Sequence, residues 1–359
     1  MLYAGIDYHK KYSQVEVIKS SGEVIWAGKV PTSKEGMMWW INKIYPHGTE
    51  EGKRDKIKTV IEASWGWERI YDLLENIEEI EEIKVAHCLK LRWIAESRIK
   101  TDKIDADKLA KLLKAGLIPE IYVPDRKDRE RKEMIRYRLG LVRMRTIIKN
   151  KVHALLDKVG VSLPKVSDLF GKRGKKFLRE LKIEGAYGKI LCNYLDLIEG
   201  LDEKIKKAEE EVRELMKGNK EREIIKSVPG FGDITSAIVT LEIGNIERFS
   251  SPKKLISYAG LSPSTYSSGG RTYHGALIKQ SNKWLRWAVI EASWVAQRES
   301  LWCRTYFASQ VHKGKNVAIV GLGRKLLKII WYLLKEKREY EERPVEKEKF
   351  DFPVALSNV

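Results

Sequence analysis

Four carboxylates in the first third of the chain have the type and spacing to hold a divalent metal ion. Asp7 lies inside an apolar, strand-like stretch (GIDYHK), and Glu62 ends a second one (IKTVIEAS). Asp102 and Asp105 are three residues apart on a predicted helix, so both project from one face. A buried acid is costly unless it is paired or binds a cation. Four converging acids suit Mg²⁺ or Mn²⁺, and two such ions can stabilise both oxygens of a phosphodiester exchange.

Each of these acids also has a plainer explanation. Thr101 and Asp102 are both residue types that begin helices, and Asp105 would complement the helix dipole. Glu62 could pair with a nearby lysine. Asp107, on the same helix, is expected to face solvent rather than to join the other acids.

A second group of chemically capable residues lies in the stretch 258–289. Ser267 and Ser268 precede a Gly-Gly pair on a predicted polar loop over 262–275. A serine needs activation or a polarised phosphate to act as a nucleophile, and nearby cations would stabilise the developing charge. Spacing alone favours the alternative that this loop contacts DNA phosphates without chemistry. The cations that follow these serines are Arg271, Lys279, Lys283 and Arg286, together with His274.

Upstream, residues 227–244 contain a Gly-x-Gly turn between apolar helices. Such a turn can offer backbone N–H groups to a phosphate, although ordinary turn formation explains it equally well.

The positive charge of the chain is concentrated in two blocks. The net charge is +18; residues 125–182 carry 19 Lys/Arg against 7 Asp/Glu, and residues 270–335 carry 12 against 2. Blocks of this kind bind polyanions by releasing condensed counterions, whereas a merely thermophilic surface should mix both signs throughout. Nucleic-acid binding is therefore predicted, with Arg143, Arg145 and Lys149 as contacts in the first block.

Several protein classes are disfavoured by the composition. No apolar run is long enough to span a bilayer, and the first residues lack the pattern of a signal peptide. Three scattered cysteines form neither a disulfide framework nor a zinc site. A soluble, cytoplasmic protein is expected.

The predicted elements give an α/β domain followed by helical ones. Residues 1–124 show the order β-β-β-α-β-α-β-α, which a ribonuclease-H-like domain would have, with Met37, Met38, Trp40 and Ile41 inward on the first helix. Residues 125–221 are a basic helical region broken near Pro164. Residues 222–338 form a mostly helical domain with the serine loop, and residues 339–359 a charged tail. A coiled-coil seam, for packing within one chain or for dimerisation, is predicted at Leu201, Ile205, Ala208, Val212 and Leu215.

Taken together, these segments resemble a known family, the DEDD insertion-sequence transposases related to the Piv and MooV DNA invertases. The matching pieces include GIDYHK, IEASWGW, KTDKIDADKLAKLL, SVPGFGDITSAIVTLEIG and GALIKQSNKWLRWAV, and the resemblance covers roughly residues 3–335 in the family's order. One departure concerns Ser281, because relatives commonly have glycine before the asparagine that is Asn282 here.

The resemblance implies a RuvC-like first domain in which Asp7, Glu62, Asp102 and Asp105 hold Mg²⁺. It also implies a helical transposase domain whose nucleophile is Ser268, with Ser267 as the second choice. Family members are thought to join DNA through a phosphoserine step, to use a structured guide RNA, and to form a composite site between the subunits of a dimer or tetramer.

The sequence thus predicts a DNA transposase or site-specific recombinase. Two rival hypotheses remain open: a RuvC-like, structure-specific nuclease in which the serine only binds, and a non-catalytic nucleic-acid-binding protein.

Overall fold

The computed structural model of the chain describes residues 1–45, 54–94 and 101–342. Contacts divide the chain into two compact units, Met1–Val123 and Pro124–Val359. Each unit has its own hydrophobic core.

The first unit is built on a five-stranded sheet of order β3-β2-β1-β4-β5. β1 pairs antiparallel with β2, and β2 pairs antiparallel with β3, whereas β1, β4 and β5 run parallel. The alternation of apolar residues along β1 and β2 directs one set of side chains to each face. The strands are β1 (Leu2–Tyr8), β2 (Tyr12–Lys19), β3 (Val24–Pro31), β4 (Ile57–Glu62) and β5 (Ile80–Ala86).

Helices cover both faces of this sheet. The helices are α1 (Lys34–Ile44), α2 (Trp67–Leu74), α3 (Cys88–Ile94) and α4 (Asp102–Lys114). On one face α1 and α2 bury Trp40 and Ile70 against Ile6, and on the other α4 buries Leu109 against Val60. Met38 is 38% exposed, because it lies one position off the apolar stripe of α1. The prediction that it points inward is therefore wrong.

The second unit begins with a long antiparallel pair of helices. These are α5 (Arg126–Lys158) and α7 (Gly185–Leu215), with the short α6 (Lys172–Glu180) between them. Ile205, Ala208 and Val212 of the predicted seam are buried. Leu215 is instead 43% exposed, and Met216, the next residue, is buried in its place as the helix ends.

The rest of the second unit is mostly helical, with one small sheet. Its helices are α8 (Lys220–Lys226), α9 (Asp233–Ile243), α10 (Pro252–Tyr258), α11 (Lys283–Glu299), α12 (Leu301–Gln310) and α13 (Lys315–Glu336). The predicted polar loop over 262–275 is instead a β-hairpin of β6 (Pro263–Ser268) and β7 (Arg271–Leu277). Both turn glycines, Gly269 and Gly270, have positive φ (55° and 77°), the conformation of a two-residue type I′ turn. The prediction treated these glycines as loop residues, although Gly-Gly is also a hairpin signal.

Within the described ranges, no helix has the length and apolarity needed to cross a membrane. The predicted tail 339–359 lies mostly outside the described residues.

Candidate active site

α4 lies directly on β1 because residue 5 has no side chain. A Cβ atom built on Gly5 would lie 2.1 Å from the backbone oxygen of Ala106 and 2.5 Å from the nitrogen of Ala110. The backbones of helix and strand therefore touch at this point. Asp102 lies one helical turn before Ala106, and Asp7 lies two residues after Gly5 on the same face of β1. This packing brings the first turn of α4 to the end of β1.

The two aspartates meet at a histidine that the sequence reasoning did not single out. The Nε2 atom of His9 lies 3.2 Å from Oδ2 of Asp7 and 3.4 Å from Oδ2 of Asp102. The hydroxyl of Tyr12 donates a hydrogen bond of 2.9 Å to the same Asp102 oxygen. Among the described residues, Asp7, His9 and Asp102 form the group whose potential ligand atoms all lie within 4.8 Å of one another. His9 directly follows the strand that carries Asp7, and this position was the feature of the sequence that could have marked His9 as part of the site.

The electrostatics of the two aspartates differ because their surroundings differ. Burial raises the pKa of Asp7 to about 6; the negative charges of Asp102 and Asp105 add to this, and His9 partly offsets it. The hydrogen bond from Tyr12 lowers the pKa of Asp102, with help from His9 and Lys29. A cation among these oxygens would offset the burial, and the smaller repulsion from Asp102 and Asp105, that raise the pKa of Asp7.

Glu62 lies on the strand beside Asp7. Ile6 and Ile61 are paired in the parallel β1–β4 ladder, so Asp7 and Glu62 each follow that pair by one residue on the same face. Cys88 lies close to Glu62: burial raises the pKa of the Cys88 thiol to about 11, and the Glu62 carboxylate contributes to that increase. Glu62 and Asp105 fall outside the 4.8 Å group of ligand atoms in the described chain.

Thr101, not Asp102, caps α4. The Thr101 hydroxyl accepts a hydrogen bond of 3.3 Å from the backbone N–H of Ile104, which leaves Asp102 to Tyr12 and His9. Asp102 is nevertheless the first residue of α4, and Asp105 also lies in its first turn, so the plainer explanation of both acids as helix-start residues holds as well.

Asp107 points away from this cluster but is only partly solvent-facing. It forms an ion pair with Lys111 at 2.7 Å. It also contacts the buried Glu16 of β2, and burial followed by the Asp107 contact raises the pKa of Glu16 to about 7. A proton shared between two carboxyl groups explains how Glu16 remains buried. The expectation that Asp107 faces solvent is therefore met only in part, since its side chain is 27% exposed.

Ser268 ends β6 at the tip of the hairpin and is exposed. Its cross-strand neighbour across the Gly269–Gly270 turn is Arg271, and paired residues of an antiparallel ladder project to the same side. Ser267 projects to the opposite side, where its hydroxyl shares a hydrogen bond of 3.1 Å with Thr272. The exposed hydroxyl with an arginine beside it is therefore that of Ser268.

Arg286 connects the base of the hairpin to the helix that precedes it. Its Nε donates to the carbonyl of Ala259 at 3.2 Å, and its Nη2 donates to the carbonyl of Ile278 and to Oγ of Ser281. Asn282 caps α11 and donates to the buried Glu242 at 2.8 Å. Ser281 therefore serves as an acceptor for Arg286.

The predicted cationic contacts fall into two groups. Arg143, Arg271 and Lys279 are exposed. Arg145 pairs with Asp202 at 2.6 Å, and Lys149 lies 4.8 Å from the ring centre of Phe170. Together with Arg286, these two side chains have partners within the second unit. They remain predictions as nucleic-acid contacts.

The Gly-x-Gly turn has a structural role. The N–H of Gly230 donates to the Glu299 carboxylate at 3.1 Å, and a Cβ on Gly230 would lie 2.1 Å from the Ala292 carbonyl oxygen. Close packing on α11 therefore explains the first glycine, and its N–H is not directed at a phosphate.

Comparison with known proteins gives a consistent result. A sequence model described as "Transposase", for IS110-type DEDD enzymes, matches residues 4–161, and one described as "Transposase IS116/IS110/IS902 family" matches residues 222–308. The chain is similar to the "Transposase for insertion sequence element IS1111A" of Coxiella burnetii, with 27% identity over 67% of this chain and 68% of the relative. It is also similar to the "Transposase for insertion sequence element IS1328" of Yersinia enterocolitica, with 25% identity over 65% of this chain and 71% of the relative.

A third relative, the "Insertion element IS116 uncharacterized 44.8 kDa protein" of Streptomyces clavuligerus, is 28% identical over 44% of this chain and 40% of its own length. The two family matches cover the metal-ligand candidates and the serine hairpin, and together they span about two thirds of the sequence. The chain therefore belongs to the IS116/IS110/IS902 family of insertion-sequence transposases.

Proposed function

We propose that this transposase cuts and rejoins DNA strands with a divalent metal site at Asp7, Glu62, Asp102 and Asp105 and with Ser268 as the nucleophile. The observation that carries the proposal is the meeting of Asp7, His9 and Asp102 where α4 packs on β1. The strand order β3-β2-β1-β4-β5 supports a RuvC-like, ribonuclease-H-like assignment of the first unit.

The residues at this position fit a hard divalent ion. Two carboxylate oxygens and one imidazole nitrogen lie within 4.8 Å of one another, and Asp105 is close enough to raise the pKa of Asp7. His9 Nε2 is buried and, in the part of the chain described, has no hydrogen bond of good geometry. The carboxylate oxygens suit Mg²⁺ or Mn²⁺. When bound, such an ion supplies positive charge to the phosphodiester oxygens that exchange.

The chain's own residues would perform the strand transfer in two balanced steps. The Oγ of Ser268 forms a bond to phosphorus while the bond from phosphorus to one deoxyribose oxygen breaks. The serine proton passes to a base, and the departing sugar oxygen takes up a proton. Attack by a sugar hydroxyl on the phosphoserine reverses these changes and joins the new strand. Arg271, the cross-strand neighbour, would stabilise charge on the phosphate.

Trapping a covalent protein–DNA adduct tests this mechanism. Wild-type protein is incubated with its element-end DNA and a divalent ion, denatured, and analysed for DNA-linked protein. Ser268→Ala should abolish the adduct, and Ser267→Ala, the matched change on the opposite side of the hairpin, should retain it. If Ser268→Ala still cleaves and joins normally, the serine mechanism is wrong and the nuclease hypothesis gains. If Asp7→Ala leaves DNA exchange unchanged, the metal-site proposal is wrong.

A structured RNA from the same element is proposed as the guide that pairs with the DNA. The support is the family resemblance and the basic block 125–182, whose exposed Arg143 suits contacts to a phosphate backbone. RNA that copurifies with the protein from its native element should contain segments complementary to target and donor DNA. Recombination by protein stripped of RNA would contradict this part of the proposal.

A homo-oligomer is proposed as the active form, with the acids of one subunit acting with Ser268 of another. The long α5–α7 pair offers an extended surface for such an assembly. Sedimentation of the protein with and without DNA tests the oligomeric state.

A further inference from the structure

The hairpin that carries Ser268 exposes two aromatic rings that have no part in the proposed strand transfer. Tyr266 of β6 is 69% exposed and Tyr273 of β7 is 63% exposed. They are direct partners in the β6–β7 register. Large aromatic side chains bury most of their area in a stable fold, so two exposed neighbours are expected to have an external partner.

Both rings project from the same face of the hairpin as Ser268 and Arg271. Side chains two residues apart along a strand share a face, so Tyr266 and Ser268 do, and so do Tyr273 and Arg271. The separation along the strand is about 7 Å. A nucleotide next to the attacked phosphate can therefore reach the tyrosines.

The face is also kept open and fixed in place. A Cβ on Gly275 would lie 2.6 Å from Oγ of Ser264 and 3.8 Å from Cε2 of Tyr266, so glycine lets Ser264 lie close to β7 and adds no side chain beside the ring. The type I′ turn sets the strand register at the tip. At the base, the N–H of Ile278 donates to the carbonyl of Ser262 at 3.1 Å, and Arg286 holds the Ile278 carbonyl. The rings therefore stand on a supported hairpin.

The charge of this segment indicates which kind of partner fits. Residues 248–290 contain no aspartate or glutamate, and the exposed Arg271 shares the face of the two rings. An apolar or basic protein surface would leave the cations of this segment without a counter-charge. A polyanion with flat aromatic groups would pair with the cations and stack on the rings, and single-stranded nucleic acid has both features.

We propose that Tyr266 and Tyr273 form a stacking surface for an unpaired base of the DNA strand whose phosphate lies at Ser268 and Arg271. The inference rests on the proposed function, since Ser268 defines the attacked phosphate. Stacking requires an exposed base face, which a paired duplex does not offer, so the surface selects a locally opened strand. Stacking is tolerant of sequence, as a protein guided by RNA requires.

Binding is measured with protein carrying Ser268→Ala, so that no strand is cut. The probe is a single-stranded DNA oligonucleotide containing the fluorescent base 2-aminopurine, compared with the same sequence as a duplex and as RNA. Tyr266→Ala and Tyr273→Ala should each weaken single-strand binding about tenfold and reduce quenching of the probe. Tyr266→Phe and Tyr273→Phe should retain both, because the ring is kept. Thr272→Ala, on the opposite face, is the control.

Several results would overturn the inference. One is an unchanged affinity for single-stranded DNA in the alanine variants, and another is an equal loss of that affinity in the phenylalanine and alanine variants. Equal losses of affinity for duplex and single-stranded DNA would also overturn it, as would tyrosine-dependent binding that is tighter for RNA than for DNA. A change in sedimentation without a change in DNA affinity would show that a second copy covers the face, which also overturns it. Adduct formation by Ser268 is measured separately, so stacking can fail while the proposed function stands, and the reverse.

Discussion

At the scale of single residues, the two central aspartates have opposite electrostatic environments. Asp7 is half-buried at the end of β1 with a pKa of about 6, whereas Tyr12 lowers the pKa of the more exposed Asp102. Above pH 7 both are ionised and repel each other across His9. A divalent cation would stabilise this arrangement, and without one Asp7 retains a proton at mildly acidic pH.

Glu16 provides a pH prediction that does not depend on metal. Its pKa is raised from 4.5 to about 7, so the folded protein holds a proton there that the unfolded chain has lost. The stabilisation is full below pH 4.5 and is lost as the pH rises through about 7. The contribution is no more than about 3 kcal/mol.

Glu16→Gln, which is neutral at every pH and can still donate to Asp107, should remove this term. Urea unfolding at pH 5 and pH 8 should show a smaller loss of stability in the variant than in the wild type. Glu23→Gln, an exposed residue paired with Lys19, is the control and should behave as the wild type does. An identical pH dependence in all three proteins would contradict the shared-proton explanation.

At the scale of elements, the contact between α4 and β1 decides where the acids lie. Gly5→Ala would place a methyl group 2.1 Å from the Ala106 carbonyl oxygen. The helix must shift, at a cost of about 1–3 kcal/mol, and Asp102 must move away from Asp7. Gly140→Ala, in α5 with open space around it, should instead stabilise the protein by about 0.5–1 kcal/mol. Thermal unfolding measures both, and equal effects of the two substitutions would count against the close packing.

Arg286 is expected to act by positioning the hairpin rather than by binding phosphate. Its guanidinium bridges the end of α10 and the end of β7, a geometry that a lysine cannot reproduce. Arg286→Lys should accelerate hydrogen exchange in residues 263–277 and reduce adduct formation at least about tenfold. Lys279→Ala, an exposed cation nearby, should weaken DNA binding without changing exchange. Unaltered exchange in Arg286→Lys would return Arg286 to the candidates for phosphate contact.

Hydrophobic periodicity predicted the strands and helices of the first unit, but it did not predict the side-chain contacts between them. The strand patterns predicted that Asp7 and Glu62 lie on strands, and the three-residue spacing predicted that Asp102 and Asp105 lie on one face of a helix. His9 lies in the turn between β1 and β2, and Tyr12 is the first residue of β2, so no apolar periodicity marks either residue. The β6–β7 hairpin was predicted as a loop because its strands are polar and exposed, and burial is what makes a strand pattern visible. The close approach of α4 to the backbone of Gly5 could be recognised only from the packed structure.

At the scale of the whole molecule, charge separates the two units. Residues 1–123 contain 20 basic and 20 acidic residues, so the entire net charge of +18 belongs to the rest of the chain. Most of the affinity for a nucleic-acid backbone should therefore come from the second unit. The first unit contributes chemistry rather than general attraction.

Mixing two inactive variants tests the proposed exchange of parts between subunits. Asp7→Asn and Ser268→Ala, each inactive alone, are combined and allowed to exchange subunits. If each site uses acids from one chain and the serine of another, mixed assemblies contain an intact site, and adduct formation should partly return. A mixture as inactive as its components would mean that each chain supplies its own acids and serine.

The measurement that bears most directly on the central claim is a Mn²⁺ titration of the full chain at about pH 7.5, above the pKa of Asp7. Asp7→Asn and Asp102→Asn should each weaken Mn²⁺ binding at least about tenfold, whereas Asp107→Asn, on the same helix as Asp102 but paired with Lys111, should leave it unchanged. Wild-type affinity in Asp7→Asn, or equal losses in all three variants, would contradict a metal site where α4 meets β1.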